Sequence, residues 1–148
     1  MNQTMTNADV VRRDLGATAM DYRQAVQAGY DGLSKGDPGA LFGLMDPKVE
    51  WTEAAGFPYA GTYVGPDAIA SGVFARLGSE WDGYVVVPDF IVADGDRAIS
   101  VGTYSGTYKA TGKSFRARFA HVFTFSGDKL LKFEQVVDSA KVQEALSS

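Results

Sequence analysis

The sequence predicts an α+β fold, in which a cone-shaped, curved antiparallel sheet wraps around helices from the N-terminal half. The first observation is helical periodicity in three segments between residues 17 and 80, in which apolar side chains recur every three or four positions. The second is a continuous strand pattern after Gly83, ending in a hairpin signal. Two runs rich in aromatic and β-branched residues, 114–125 and 130–138, flank a polar turn that contains Gly127. Such a sheet can enclose a pocket.

The composition is that of one ordinary globular domain. We expect a loose N-terminal arm over residues 1–16 and a single domain over residues 17–148. The net charge of −4 and the lack of a basic stripe argue against a nucleic acid partner. The chain has no cysteine, and its one histidine lies in no group with metal-ligand spacing, so no metal and no cofactor are expected. Without a membrane-length apolar run or a signal-peptide pattern, we expect a cytoplasmic protein with no membrane partner.

Three helices are predicted in the first half. The helix over residues 17–35 has one apolar stripe, formed by Tyr22, Val26, Gly29, Tyr30 and Leu33. A short second helix follows, with Asp37 as N-cap and Pro38 as its first residue, and Asp46-Pro47 ends it. The third helix, over residues 66–80, presents Ile69, Val73, Phe74 and Leu77 on one side.

Five strands are predicted: residues 48–53, 84–93 and 97–108, and the two strands of the hairpin. Pro88 indicates an edge strand or a bulge. Glycines inside the strand 97–108, Gly102 and Gly106, are typical of bends in a curved sheet. A closing helix is predicted over residues 140–146, with Asp138 or Ser139 as its cap.

His121 is the centre of the predicted site. Side chains alternate between the faces of a strand, so His121 shares one face with Phe115, Phe119, Phe123 and Phe125. This position puts a titratable imidazole into the core or a cavity. Two interpretations stand: a core histidine with satisfied hydrogen bonds, or a polar group in an apolar pocket that donates a hydrogen bond or moves a proton.

Several segments together resemble one known family. They are residues 30–37 (YDGLSKGD), 49–51 (VEW), 61–69 (GTYVGPDAI), 108–113 (YKATGK) and the hairpin that ends at Asp138. In this order and spacing the chain resembles a SnoaL-like member of the nuclear transport factor 2-like superfamily, which includes ketosteroid isomerase and the polyketide cyclases. The resemblance covers roughly residues 20–145 and implies this curved-sheet fold, which has cystatin-like relatives. It does not by itself imply one activity.

The resemblance also places the catalytic positions of both enzyme families on this sequence. The general-base aspartate of ketosteroid isomerase falls on Trp51, which cannot accept a proton. Its oxyanion-hole aspartic acid falls on His121, which can donate a hydrogen bond, and its oxyanion-hole tyrosine falls near Gly29 and Tyr30. The acidic residue of the SnoaL-type cyclases falls on Gln135. Donors are therefore partly kept, whereas both familiar carboxylates are missing.

Glu53 is the candidate base, because alternation puts it on the same face as Trp51, where burial would raise its pKa. The alternative is a solvated residue at the end of a strand. His121 is the candidate donor to a developing oxyanion, with Tyr30 as a supporting donor. Candidate ligand-binding residues, each of which is also explained by a role in the core or as a helix cap, are Trp51, Phe57, Tyr59, Phe74, Phe119, Gln135 and Asp138.

Three functions fit these observations. The first is a cofactor-independent enzyme that acts on a small hydrophobic carbonyl compound by proton transfer, as an isomerase, cyclase or dehydratase. The second is a protein that binds such a molecule without chemistry, and the third is a dimeric interaction domain whose pocket is only core.

A homodimer formed sheet to sheet is also expected. The face opposite His121 carries Ala120, Val122 and Thr124, and neighbouring strands add Val136 and either Tyr104 and Tyr108 or their alternates. Apolar faces of this kind are typical of interfaces. Arg116 or Arg118 would make charged contacts at the rim.

Overall fold

The computed structural model describes residues 20–148, so the predicted arm over residues 1–16 lies outside the described residues. The elements in chain order are α1 (Tyr22–Ser34), α2 (Gly39–Phe42), β1 (Met45–Glu53), β2 (Gly61–Val64), α3 (Pro66–Ile69), a π-helical segment (Ala70–Phe74), α4 (Ala75–Glu80), β3 (Trp81–Asp94), β4 (Arg97–Tyr108), β5 (Ser114–Ser126), β6 (Lys129–Val137) and α5 (Ser139–Leu146). No helix within residues 20–148 combines the length and the apolar character that a membrane span requires.

The strands form one curved sheet in the order β2-β1-β6-β5-β4-β3, with helices packed against its concave face, which confirms the predicted fold class. The pairing is antiparallel except between β1 and β6, which are parallel, with Trp51 beside Phe133. This parallel pair departs from the prediction, because its two strands lie far apart in the sequence and no local pattern indicates their pairing. The short edge strand β2 was also not predicted, since glycines bound it and its side chains show no buried alternation.

The ends of the first helices differ from the prediction. Helix α1 begins at Tyr22 because the side chain of Asp21 accepts a hydrogen bond from the backbone of Gln24 and caps it there. Helix α2 begins after Pro38, although the Asp37 side chain still accepts from the Gly39 backbone N–H at 2.9 Å.

One further boundary was predicted wrongly. Asp46-Pro47 does not end a helix but lies inside β1, where the strand register is interrupted between Met45 and Glu50. Asp138 stands at the N-cap position of α5, one of the two positions predicted for the cap, although its side chain makes no capping hydrogen bond.

The predicted third helix is continuous from α3 to α4 but contains the π-helical segment. Gly72 lies in this segment. A Cβ atom on Gly72 would come within 2.8 Å of the ring of Tyr63, so the absence of a side chain lets β2 pack against the helix.

The sheet bends near the middle of the β3–β4 pair. The register shifts between Pro88 and Phe90, and β3 is an edge strand, as the proline predicted. Gly102 pairs with Pro88. A Cβ atom on Gly102 would overlap the carbonyl oxygen of Val87 and lie 2.7 Å from the ring of Phe119. The glycine therefore allows the close approach that curves the sheet.

The concave face of β5 holds the predicted aromatic row. The side chains of Phe115, Phe119, His121, Phe123 and Phe125 are all buried there. Two groups of buried side chains form the core: one lies under α1 around Phe123 and Phe133, the other under α5 around Phe115 and Phe119. His121 lies on β5 where these two groups meet.

Replacement of Gly102 by alanine is expected to lower the free energy of unfolding by about 1–3 kcal/mol, because the added methyl group has no room between strands β3 and β5. Chemical denaturation measures this change. Gly78→Ala is the matched control, since a Cβ atom there meets nothing within 4 Å and lies in a helix. Equal stability of Gly102→Ala and the wild type would contradict this account of the bend.

Candidate functional site

A cavity lies between the helices and the concave face of the sheet. The space open to the centre of a water molecule is about 50 Å³, enough for a few waters or a small chemical group. Most of the wall is apolar, and besides the indole N–H of Trp51 the polar groups come from six side chains: Tyr30, Glu53, Tyr84, Tyr104, His121 and Gln135. The lining residues are Val26, Gly29, Tyr30, Leu33, Leu41, Trp51, Glu53, Val73, Phe74, Leu77, Tyr84, Val86, Tyr104, His121, Phe123, Phe133 and Gln135.

Six of the candidate residues from the sequence line this cavity: Tyr30, Trp51, Glu53, Phe74, His121 and Gln135. The other four do not. Phe57, Tyr59 and Phe119 are buried in the core group under α5, and Phe57 and Tyr59 lie there because the loop after β1 folds onto that end of the sheet. Asp138 is exposed beyond the end of β6 and also does not line the cavity.

His121 lies between two tyrosines. Its Nδ1 atom is 2.6 Å from the hydroxyl of Tyr30, and its Nε2 atom hydrogen-bonds the hydroxyl of Tyr104. The Tyr30 hydroxyl also bonds the hydroxyl of Ser100, which is fully buried. A hydrogen-bonded chain therefore runs from Ser100 through Tyr30 and His121 to Tyr104, and both ring nitrogens of His121 are occupied.

Gln135 extends this chain. Its side-chain oxygen accepts a hydrogen bond of 2.9 Å from the backbone N–H of Ala54, so its amide nitrogen points the other way and donates to the Tyr104 hydroxyl at 3.0 Å. The backbone thus fixes the orientation of this amide. Because the oxygen of Tyr104 accepts from Gln135, the Tyr104 proton is directed toward His121 or toward the cavity.

The imidazole of His121 is neutral. Burial lowers its pKa from the ordinary 6.5 to about 3, because the rings of Phe119 and Phe133 surround it and keep water from the charged form. A neutral imidazole donates from one nitrogen and accepts at the other. His121 therefore links the two tyrosine hydroxyls and fixes their positions.

Glu53 is buried at the end of β1, with only 4% of its surface exposed. Its Oε2 atom accepts a hydrogen bond of 2.9 Å from the indole N–H of Trp51, and within residues 20–148 no group donates to Oε1. Burial raises the pKa of the Glu53 carboxyl to about 7, and the Trp51 bond offsets this rise only in part. A carboxyl group with this pKa exchanges protons readily near neutral pH.

Two tyrosines in the cavity were missed in the sequence. Burial, together with the nearby Glu53 carboxylate, raises the pKa of Tyr84 and of Tyr104 well above the ordinary value, so both hydroxyls stay protonated. Tyr104 faces inward because it pairs with Ala117 on the concave face of β5. The face on which Tyr104 lies depends on the pairing of β4 with β5. Alternation within β4 alone does not determine which of its two faces is buried.

The described residues form no metal site: within residues 20–148, no group of three or more histidine, aspartate or glutamate side chains has the arrangement to hold an ion. The site can instead supply one carboxyl base and protonated hydroxyls within an apolar wall.

Comparison with known proteins agrees with this fold. An NTF2-like protein from Burkholderia thailandensis is 46% identical, with a TM-score of 0.83 over 85% of this chain and 97% of that one. TerC, crystallised with polyporic acid, is 26% identical, with a TM-score of 0.75 over 84% of this chain and 97% of TerC.

A protein with a ketosteroid isomerase-like fold from Catenulispora acidiphila, solved with trimethylamine, is 20% identical, with a TM-score of 0.70 over 82% of this chain and 90% of that one. This likeness concerns the fold alone. A search among curated proteins found no match. The family model of the SnoaL-like domain matches residues 26–133, which is more than half of the sequence. The chain therefore belongs to the SnoaL-like domain family.

Proposed function

We propose that this protein is a cofactor-independent enzyme that transfers a proton within a small hydrophobic carbonyl compound, as an isomerase, cyclase or dehydratase. The observation that carries this proposal is the Glu53 carboxyl, which has a pKa of about 7 and lines an apolar cavity together with protonated tyrosine hydroxyls. A base and a donor on one small cavity are what enolisation requires.

In this mechanism Glu53 removes a proton from the carbon next to the carbonyl group. The C–H electron pair moves into the new carbon–carbon double bond, and the carbonyl π pair moves to oxygen as an enolate. The hydroxyl of Tyr104, assisted by Tyr84, donates a hydrogen bond to that oxygen. In a ketone with a double bond between the β and γ carbons, this enolate is a dienolate. Glu53 then returns the proton to the γ carbon, the oxygen lone pair re-forms the carbonyl group and the carbon–carbon double bond ends between the α and β carbons, which completes an isomerisation.

His121 and Tyr30 act as positioning residues in this proposal. Both ring nitrogens of His121 are already bonded to tyrosines, so the imidazole does not donate to the developing oxyanion. The hydroxyl of Tyr104 donates that hydrogen bond instead. A donor held in place by Gln135 and His121 needs little rearrangement when charge develops on the ligand.

The second candidate function is a binding protein without chemistry. It is favoured by Trp51 and Gln135, which occupy the positions where the resembled enzymes carry carboxylates. Polyporic acid, the compound crystallised with TerC, is a suitable first ligand for either function. Deuterium exchange at the acidic carbon of a bound ketone distinguishes the two.

We also propose that the protein forms a homodimer through the convex face of the sheet. One row across four strands is apolar and partly exposed: Phe90, Val101, Ala120 and Val136. Further exposed apolar side chains on this face are Val85, Val87, Val92 and Ile99. An apolar patch of this extent favours an interface. Tyr104 is buried on the opposite face, so the alternate residues of β4 contribute to the patch.

The rim of this patch carries the two predicted arginines. Arg118 donates to Asp89 at 2.7 Å and to Thr103 at 2.9 Å within the same chain. Arg116, which is exposed, is therefore the better candidate for a charged contact across the dimer.

Glu53→Gln is expected to slow deuterium exchange of small cyclic enones and aryl ketones by about 100-fold or more, because an amide cannot accept the proton. Proton NMR in D₂O measures the exchange. Glu50→Gln on the exposed face of the same strand is the matched control and should keep the wild-type rate. Equal rates in Glu53→Gln and wild type would exclude Glu53 as the base.

The exchange rate is expected to depend on pH through the same carboxyl. Its pKa is raised to about 7, so the basic form predominates only above that pH. The rate should be constant above about pH 8 and fall about tenfold per pH unit below about pH 6. A profile that stays flat from pH 5 to pH 8 would contradict a base with this pKa.

Tyr104→Phe is expected to lower the exchange rate by about 100-fold, since the cavity loses its fixed donor. Because this change also removes the Tyr104 partner of the Gln135 amide nitrogen and of His121 Nε2, stability is measured alongside the rate. Tyr108→Phe, on the same strand but not on the cavity wall, is the control. A rate loss no larger than that of Tyr108→Phe would remove Tyr104 from the mechanism.

Sedimentation of the wild-type protein at micromolar concentration should give about twice the 15.8 kDa monomer mass. Val136→Lys places a charge at the end of the apolar row that lies on β6, an interior strand of the sheet, and is expected to give monomers. Val64→Lys changes an equally exposed valine on the far edge strand and should leave the dimer intact. A wild-type monomer would rule out this assembly.

A further inference from the structure

A second open space lies outside the cavity, between the C-terminal end of α1, the helix α4 and the start of β3. We call it the outer groove. It shares five lining residues with the inner cavity: Leu33, Phe74, Leu77, Tyr84 and Val86. The two spaces therefore adjoin at these side chains.

The two spaces differ greatly in size. The space open to the centre of a water molecule is about 50 Å³ in the cavity and about 510 Å³ in the groove. The cavity thus has room for a polar head group, whereas the groove has room for a much larger body. No lining residue of the groove is charged, and its wall includes the aromatic rings of Trp81 and Tyr84.

Gly78 keeps one wall of the groove open. A Cβ atom at this position meets nothing within 4 Å. The residue lies inside α4 without the positive φ that would require a glycine, and glycine in a helix costs about 1 kcal/mol relative to alanine. Gly36 and Gly83, by contrast, have φ values of 76° and 59°, so the backbone accounts for them. At Gly78 the backbone conformation does not require a glycine. The effect of having no side chain at this position is the open space beside it.

We propose that the outer groove binds the uncharged, apolar body of an elongated carbonyl compound whose head group occupies the inner cavity. The placement of the carbonyl head group in the inner cavity rests on the proposed function. The substrate class is thus a ketone with an extended alkyl or aryl substituent, in which apolar contact along the groove supplies most of the affinity.

Straight-chain methyl ketones from butanone to decan-2-one test this proposal. Affinity is measured by NMR titration of the wild-type protein. Each added methylene group that enters the groove should tighten binding about three- to fourfold, until the groove is full. The Gly78→Leu variant fills the groove from α4 and should lose most of this gain for the longer ketones.

Two further variants keep this test decisive. Ser79→Leu adds the same side chain to the neighbouring exposed position, which does not line the groove, and should retain the gain with chain length. Ser34→Leu fills the groove from α1 and should lose the gain, so the test does not depend on one substitution. Thermal unfolding checks that each variant is folded.

The result that overturns the proposal is an affinity that does not rise with chain length, or a rise that Gly78→Leu and Ser34→Leu leave unchanged. A structure of a ligand complex in which residues 1–19 of the same chain occupy the groove would also overturn the proposal. Deuterium exchange of butanone reports separately on the proposed function. Exchange without a chain-length effect overturns only the groove, whereas a chain-length effect without exchange supports the groove and overturns the catalytic role.

Discussion

The structure depends on a neutral imidazole held between two tyrosine hydroxyls. Burial among aromatic rings would be costly for His121 without partners, and the hydroxyls of Tyr30 and Tyr104 satisfy both of its nitrogens. The same chain continues through Gln135 to the backbone of Ala54. It thereby connects α1, β4, β5 and β6 to the loop after β1, so the polar groups of the cavity are fixed by the same contacts that fix the helix on the sheet.

This arrangement separates two kinds of polar group within one apolar space. The hydroxyls of Tyr84 and Tyr104 remain protonated, because burial and the nearby Glu53 carboxylate disfavour their ionised forms. The carboxyl of Glu53 is bonded to Trp51 rather than to the tyrosine chain, so it has a raised pKa and one oxygen without a protein donor within residues 20–148. The tyrosine hydroxyls and the Glu53 carboxyl thus have different environments. The hydroxyls can therefore donate hydrogen bonds to a ligand while the carboxylate accepts a proton from the same ligand.

The strand pattern of the sequence was sufficient to locate His121 and Glu53, because alternation along a single strand determines which side chains share a face. It was not sufficient for Tyr104, whose face depends on the pairing of β4 with β5. Phe57 and Tyr59, candidates for the pocket or the core, lie in the second core group, and their loop has no periodicity from which this position could be predicted. The sequence therefore predicts the fold and the acidic and imidazole groups, whereas the hydrogen-bonded partners depend on contacts between distant strands.

The state of His121 tests the account most directly, and the protein has no other histidine to obscure it. The measurement is a ¹⁵N NMR titration of the imidazole from pH 5 to pH 8, made on protein without a histidine tag. Because burial lowers the pKa of His121 to about 3, the account predicts one protonated and one unprotonated ring nitrogen, with shifts that do not change across this range. A titration with a midpoint near 6.5 would show a solvated imidazole and would contradict the buried chain on which the proposed site depends.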